Sequence, residues 1–239
     1  MLADMFVITV CAVICGADNW KAVSTFGKAK RKWFKTFLGL PHGIPSHYTF
    51  NRVFAALRPE SLDRCFSEWM QALGRGEKGL VAIDGKTLRG SFDRAGRKAA
   101  IHMVSAWASA NDLVLGQLAT DAKSNEITAI PKLLEILDIS GSLVTIGAMG
   151  CQTEIARRFA EAVRSHWSIE NNLHGQLDVT FQEDQCRIRK GHADANLSML
   201  RRTALSMLKN EPTLQVGIKN KRLTAGWDET YLEKVLFVQ

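Results

Sequence analysis

The chain has 239 residues, 46% of them hydrophobic, and a formal net charge of +7 from 31 Lys and Arg against 24 Asp and Glu. This length and composition allow a sizeable buried core, which excludes disorder as the default state. The longest apolar run, MFVITVCAVICGA (5–17), is too short for a bilayer span and follows an aspartate, so it predicts a buried helix of a cytoplasmic protein.

The positive charge is unevenly distributed along the chain. Residues 1–75 and 157–239 carry more Lys and Arg than Asp and Glu, whereas residues 76–156 are nearly neutral. Two basic ends around a near-neutral middle suit a protein that holds a polyanion from both sides of a metal-binding centre. A soluble basic protein with solvated charged faces explains the charge equally well.

Residues 1–75 are predicted to be helical and contain one strongly basic segment. KAKRKWFK (28–35) surrounds two aromatic residues with five positive charges, a pattern that favours phosphate contact and base stacking. The alternative is a helix with a solvated basic face and buried aromatic side chains. GIPSHYTFNRVFAAL (43–57) and PESLDRCFSEWMQAL (59–73) predict two amphipathic helices, which either form a DNA-binding module or simply pack together.

After residue 79 the apolar pattern changes from helical spacing to continuous runs. The segments are three predicted strands in a meander, a helix and a fourth buried strand: LVAI (80–83), AAIHMVSAWAS (99–109), LVLGQLA (113–119), NEITAIPKLLEILDI (125–139) and SLVTI (142–146). This order predicts an α/β fold with a mixed sheet, in which the helical crossover lays the last strand parallel to an earlier one. From residue 152 onward the spacing is helical again.

Two carboxylates are placed where they could bind a metal ion. Asp84 ends the first predicted strand, so its side chain is expected at the rim of the sheet, although aspartate is also a common turn residue. Glu170 lies on a predicted helix that could bring it to the same point, and its alternative is a solvated helix glutamate. Together they could hold ions that act on a phosphodiester. His166 and His174 have no Cys or His at zinc-site spacing, so no zinc site is predicted.

Long segments of the chain, in order, closely resemble the H-repeat-associated, ISAs-type branch of insertion-sequence transposases. These segments are IDGKTLRGS (83–91), KSNEITAIPKLLEIL (123–137), TIGAMGCQTEIA (145–156) and HWSIENNLHGQLDVTFQEDQCRIRKGHADANLSMLRRTAL (166–205), while GADNWKAVSTFGKAKRKWFKTFLGLPHGIPSHYTFNRVFAAL (16–57) is similar to that family's N-terminal associated domain. The resemblance implies a truncated ribonuclease H-like mixed sheet with helices at residues 80–209. A small all-α N-terminal domain at residues 1–75 would precede it, and a C-terminal tail at residues 210–239 would follow.

The same resemblance implies a DDE transposase, in which three acids bind two Mg²⁺ (or Mn²⁺) ions for DNA cleavage and strand transfer. Asp84 matches the first acid and Glu170 the last, so both are expected to be catalytic residues and metal ligands. Gly147 stands at the second-acid position and has no side chain to offer. Only RRFAEAVRS (157–165) intervenes where the family has a strand, a helix and a long insertion, which implies an internal deletion there.

The predicted function is that of an insertion-sequence transposase acting in DNA transposition and recombination, with catalysis impaired by Gly147 and the deletion. One alternative is a non-catalytic DNA-binding remnant, and another is a product that scarcely folds. The expected partner is DNA, at the element ends and at the target, and the chain could also associate with a second copy of itself or with intact transposase copies. No membrane partner is expected. The expected location is the bacterial cytoplasm, at the nucleoid when bound to DNA. The predicted DNA contacts are Lys30, Arg31, Lys32, Lys86, Arg187, Arg189 and Lys190, with Arg201 and Arg202 in the same C-terminal basic cluster.

Overall fold

The computed structural model describes residues 2–73, 79–92, 99–110, 112–120, 126–137, 142–146 and 169–237. Gly147, which is expected at the second-acid position, the segment 157–165 and His166 lie outside these residues. Within the described ranges, none of the helices is both long enough and apolar enough to cross a membrane.

Residues 2–73 are helical, as predicted for this part of the chain. The helices are α1 (Leu2–Ile14), α2 (Trp20–Ala29), α3 (Arg31–Phe34), α4 (His47–Ala56) and α5 (Pro59–Leu73). Side chains define two of the starts, because Asn19 accepts from the Ala22 amide and Ser46 from the Thr49 amide. Pro59 opens α5, a position where its missing N–H costs no hydrogen bond.

Four strands form a mixed sheet in the described part of the chain. They are β1 (Leu80–Leu88), β2 (Ile101–Ala108), β3 (Leu113–Thr120) and β4 (Leu143–Ile146), in the spatial order β3-β2-β1-β4. The first three strands pair antiparallel, and β4 follows α6 (Glu126–Ile136) to lie parallel to β1. The predicted meander, crossover helix and parallel last strand are therefore confirmed.

The prediction that the first strand ends at Asp84 is wrong. β1 continues to Leu88, because its residues keep their pairing with β2 as far as Leu88 opposite Ile101. Asp84 lies within the strand, directly opposite Ser105. The parallel pairing with β4 reaches only Ile83, so Asp84 is the next residue of β1 after that pairing.

The fourth strand is less buried than predicted. Leu143 and Ile146 are 51% and 42% exposed, while Val144 packs against the apolar cluster beneath α6. In the described sheet β4 stands at the end of the strand order and pairs with β1 alone. Part of the apolar surface of β4 therefore stays exposed to solvent.

The C-terminal part is helical and supplies the longest buried helix. A π-helical turn (Glu170–His174) leads directly into α7 (Gly175–Val179), and α8 (Ala193–Asn210), α9 (Ile218–Trp227) and α10 (Glu229–Leu236) follow. The side chains of α8 are buried almost throughout, and this helix contacts α1, α4 and β3. It therefore joins the N-terminal helices to the sheet.

Alternation along the strands divides the core into two clusters. Val81, Ile83 and the alternating residues of β2 face α6, with Leu133 of that helix fully buried against them. Ala82 and Trp107 face the other way and join one larger cluster with the N-terminal helices, α8 and the C-terminal helices. Asp84 and Lys86 follow Ala82 at two-residue spacing, so they belong to this second face of β1.

Candidate metal centre

Asp84, Glu170 and His174 converge at the end of the pairing between β1 and β4. Nδ1 of His174 lies 3.1 Å from Oε2 of Glu170 and 3.6 Å from Oδ2 of Asp84. One ligand atom from each of the three side chains lies within 4.8 Å of the other two. The structure thus brings together the strand carboxylate and the helix carboxylate that the sequence suggested, and it adds an imidazole.

The π-helical turn explains how Glu170 and His174 reach the same point. The amide of Gly175 donates to the carbonyl oxygen of Glu170, five residues back, which widens the helix locally. Leu173 and Leu177 are fully buried and fix the turn to the core. Such single π-turns are rare and are found frequently at functional sites.

The three side chains differ in their access to solvent. The side chains of Asp84 and Glu170 are 25% and 60% exposed, whereas that of His174 is only 5% exposed. Burial and the nearby charge of Arg202 lower the pKa of His174, against the opposing effect of the two carboxylates. The imidazole is thus favoured in its neutral form, the form that binds metal ions. Its Nε2 has no hydrogen-bond partner among the described residues.

A buried ionic network lies under the carboxylates. Arg202 of α8 is fully buried, with Nη1 3.2 Å from Oε1 of Glu183, and its Nε donates to Oγ of Ser105 at 3.3 Å. Ser105 is the residue opposite Asp84 in β2, so the network supports the strand position that carries Asp84. Arg201 is also buried, with 2% exposure. The prediction that Arg201 and Arg202 belong to a DNA-contacting cluster is wrong, because neither side chain reaches the surface.

Lys86 stands two residues after Asp84 and is engaged in ion pairs. Its Nζ donates to both carboxylate oxygens of Asp178, at 2.7 and 2.6 Å, and lies 3.8 Å from Asp184. The side chain is only 10% exposed. Lys86 therefore links β1 to α7 and to the turn at residues 183–185, and its charge is engaged by these carboxylates rather than presented to DNA.

The other predicted DNA contacts lie at two places on the surface. Arg31 and Lys32 are exposed on the short helix α3, and Arg187 and Lys190 are exposed in the segment before α8. Lys30 is less free, because its Nζ lies 3.0 Å from Glu229. Arg189 is half-buried, and its Nε donates to the carbonyl oxygen of Gly90 at 3.0 Å.

The aromatic residues of the basic segment are not available for base stacking. Trp33 and Phe34 are 8% and 0% exposed, and Nε1 of Trp33 donates to Glu233 at 2.8 Å. The stacking interpretation is therefore wrong for these two rings. The structure shows the alternative, a helical segment with a solvated basic face and buried aromatic side chains.

His174 is the site residue that the sequence reasoning missed. Cys and His spacing does not reveal it, because no second Cys or His lies at zinc-site spacing from His174. The available signal was the spacing of four between Glu170 and His174, which places two potential ligands on one side of a helix.

Comparison with known proteins places these features in a family context. Residues 1–70 match the DDE_Tnp_1-associated family. The H repeat-associated putative transposase YhhI of Escherichia coli strain K12 is 30% identical over 347 aligned residues, covering 98% of this chain and 92% of that protein. The putative transposase YncI of Escherichia coli O157:H7 is 32% identical over 346 residues, covering 98% and 89%.

A third relative matches over a shorter length. The H repeat-associated putative transposase YbfD of Escherichia coli strain K12 is 39% identical over 183 residues, covering 76% of this chain and 72% of that protein. The two longer alignments exceed the 239 residues of this chain, so those relatives contain stretches that have no counterpart here. No solved structure matches the chain.

Proposed function

The chain belongs to the H-repeat-associated transposase family, and from that relationship we propose that it binds insertion-sequence DNA and carries a DDE-derived site with impaired strand cleavage and transfer. The observation that carries this proposal is the convergence of Asp84 and Glu170 at a solvent-accessible point just beyond the pairing of β1 with β4. Its partners would be the element ends and target DNA, with self-association or pairing with intact transposase copies, in the bacterial cytoplasm at the nucleoid.

The strand arrangement supports a ribonuclease H-like core in this proposal. Three antiparallel strands are followed by a helix and a fourth strand parallel to the first, in the order β3-β2-β1-β4. In open α/β sheets, ligands are bound where the strand order reverses beyond the ends of parallel strands. Asp84 follows the paired segments of β1 and β4, and it is therefore suitably placed for a cation and a phosphodiester.

The chemistry of the site follows from its donor set. Two carboxylates and one imidazole are ligand types that suit a divalent cation. When bound, such a cation supplies a Lewis acid that stabilises charge on a phosphodiester. The rigid strand fixes the direction of Asp84, and the buried π-helical turn fixes that of Glu170. Both carboxylates keep an exposed side from which DNA can approach.

The proposed loss of catalytic activity follows from the residue at the second-acid position. Gly147 offers no carboxylate, and a displaced or missing group at such a site costs at least about 100-fold in rate. The longer relatives and the half-exposed Leu143 and Ile146 of β4 support a deletion of core structure near residues 157–165. A non-catalytic DNA-binding remnant is the second candidate, and the lost acid favours it.

Nicking of supercoiled plasmid DNA tests the catalytic part of the proposal. The plasmid carries the DNA that flanks the gene, and the chain is compared with its Asp84→Ala variant in the presence of Mn²⁺. We expect no difference in the rate of nicking between the two proteins. Nicking that disappears in the variant would show that the site is catalytically competent, and it would refute the impairment.

Salt-dependent retention of the same DNA tests the binding part. We expect the double variant Arg31→Ala/Lys32→Ala to reduce the slope of log affinity against log salt concentration by about 0.9 for each phosphate that these two side chains neutralise. Lys219, which is exposed on α9 outside the predicted contacts, provides the matched control as Lys219→Ala. Equal slopes for all three proteins would refute the assignment of α3, and absence of any retention would refute the proposed function.

A further inference from the structure

The imidazole of His174 stands where a third ligand of a metal ion would be. We propose that Asp84, Glu170 and His174 together bind one divalent transition-metal ion, and that the site prefers Mn²⁺ to Mg²⁺. The inference deepens the proposed function and rests on it for the roles of Asp84 and Glu170. It adds a nitrogen ligand that the acid triad does not include.

The two distances from His174 to the carboxylates fit ligands that share one ion. With bonds of about 2.0–2.2 Å to the metal, neighbouring ligand atoms lie roughly 3.0–3.6 Å apart. Nδ1 of His174 lies 3.1 Å from Glu170 and 3.6 Å from Asp84. A hydrogen bond explains the first contact, but the second is too long for one. A shared cation explains both contacts with the same nitrogen atom.

The burial of His174 fixes the position of the imidazole at the site. Its side chain is 5% exposed, and the flanking Leu173 and Leu177 are fully buried, so the ring cannot turn away without disrupting the core. Nε2 lacks a partner in the described part of the chain, which leaves Nδ1 as the ring atom that makes the polar contacts. With a cation at Nδ1, Nε2 carries the proton of the neutral ring.

The donor set predicts the preference between metals. Mg²⁺ favours oxygen ligands and gives up its waters reluctantly, whereas Mn²⁺ is bound by carboxylates as Mg²⁺ is and, as a transition metal, also accepts an imidazole nitrogen. Gly147 provides no third carboxylate, so the third protein donor available at the described site is nitrogen. Replacing a carboxylate by an imidazole also lowers the negative charge of the site, which weakens its hold on Mg²⁺.

Titration calorimetry of the isolated protein with MnCl₂ and with MgCl₂ tests the preference, without DNA. We expect Mn²⁺ to bind about tenfold or more tightly than Mg²⁺. His174→Gln should reduce the Mn²⁺ affinity by about tenfold or more, because the amide can keep the contact with Glu170 but is a poor ligand. His192→Ala is the matched control, since His192 is exposed at the start of α8.

Pulsed electron paramagnetic resonance of the Mn²⁺ complex gives a reading that a merely structural histidine would not produce. We expect a ¹⁴N coupling in the unaltered protein and in His192→Ala, and none in His174→Gln. Equal Mn²⁺ affinities in all three proteins, or a complex of the unaltered protein without ¹⁴N coupling, would overturn the inference. The unaltered protein decides the question if His174→Gln fails to fold. Failure of DNA retention would instead overturn the proposed function and leave these readings unchanged.

Discussion

A buried acid between α5 and β3 makes the stability of this protein depend on pH. Asp63 is 5% exposed, and its Oδ1 accepts a hydrogen bond of 3.3 Å from Nε2 of Gln117. Burial raises the pKa of Asp63 from 3.8 to about 7, helped by Glu60 and opposed by Gln117 and Arg202. Gln117 Oε1 has no partner among the described residues, and it is available to accept from a protonated Asp63.

The raised pKa of Asp63 determines the direction in which the stability of the protein changes with pH. Between pH 3.8 and about 7 the folded protein keeps a proton on Asp63 that the unfolded chain releases, so its stability falls as the pH rises through this window. Ionising Asp63 inside the fold costs on the order of 4 kcal/mol. His174 acts in the opposite direction, because its lowered pKa makes the folded protein more stable as the pH rises towards 6.5.

Urea unfolding at pH 5 and pH 8 measures this effect, with Asp63→Asn as the comparison. The asparagine presents the same hydrogen-bonding groups as the protonated acid at every pH, so at pH 5 the variant should be only about 1–2 kcal/mol more stable than the unaltered protein, which already loses stability above pH 3.8. At pH 8 it should be more stable by several kcal/mol. Glu135→Gln, on the exposed side of α6, controls for the loss of one carboxylate. Parallel changes with pH in Asp63→Asn and the unaltered protein would refute the reasoning.

Two further substitutions test a buried ion pair and a close approach of the backbone. Glu183→Gln should lower the free energy of unfolding by about 3–5 kcal/mol, because it leaves the fully buried charge of Arg202 without its partner. Urea unfolding measures this loss. A loss smaller than that of the surface control Glu135→Gln would contradict the prediction. Gly90→Ala should cost about 1–3 kcal/mol in the same assay, because a Cβ there would overlap the carbonyl oxygen of Cys186. Gly217→Ala meets no atom within 4 Å and should be close to neutral, so equal losses at both glycines would contradict the steric argument.

The sequence predicted the order of elements because periodicity is a local property. The helical spacing of α6 and its buried Leu133 and Leu137 were readable directly, and the crossover rule then made β4 parallel to β1. The end of β1 was misplaced because Asp84 and Gly85 look like a turn in isolation. Their continued pairing depends on β2, which is a contact that no local pattern reports.

The site was only partly predictable for the same reason. Asp84 and Glu170 could be singled out, but the position of His174 beside them depends on the π-helical turn between Glu170 and His174. The ion pairs of the charged residues were harder still to predict. Arg202 and Lys86 read as surface cations from their type, whereas their carboxylate partners Glu183 and Asp178 come from other elements and bury them. Composition records charge, but only the fold determines which charges are neutralised.

Helix α8 makes the N-terminal helices and the metal centre parts of one packed structure. Asn196 of α8 donates from Nδ2 to the carbonyl oxygens of Phe54 and Leu57, which fixes the end of α4 to this helix. Six positions further along, Arg202 holds Ser105, which lies opposite Asp84 in the sheet. Removing the N-terminal helices would expose a buried face of α8 and leave its amide unpaired. The N-terminal segment that matches the DDE_Tnp_1-associated family therefore also supports the strand that carries Asp84.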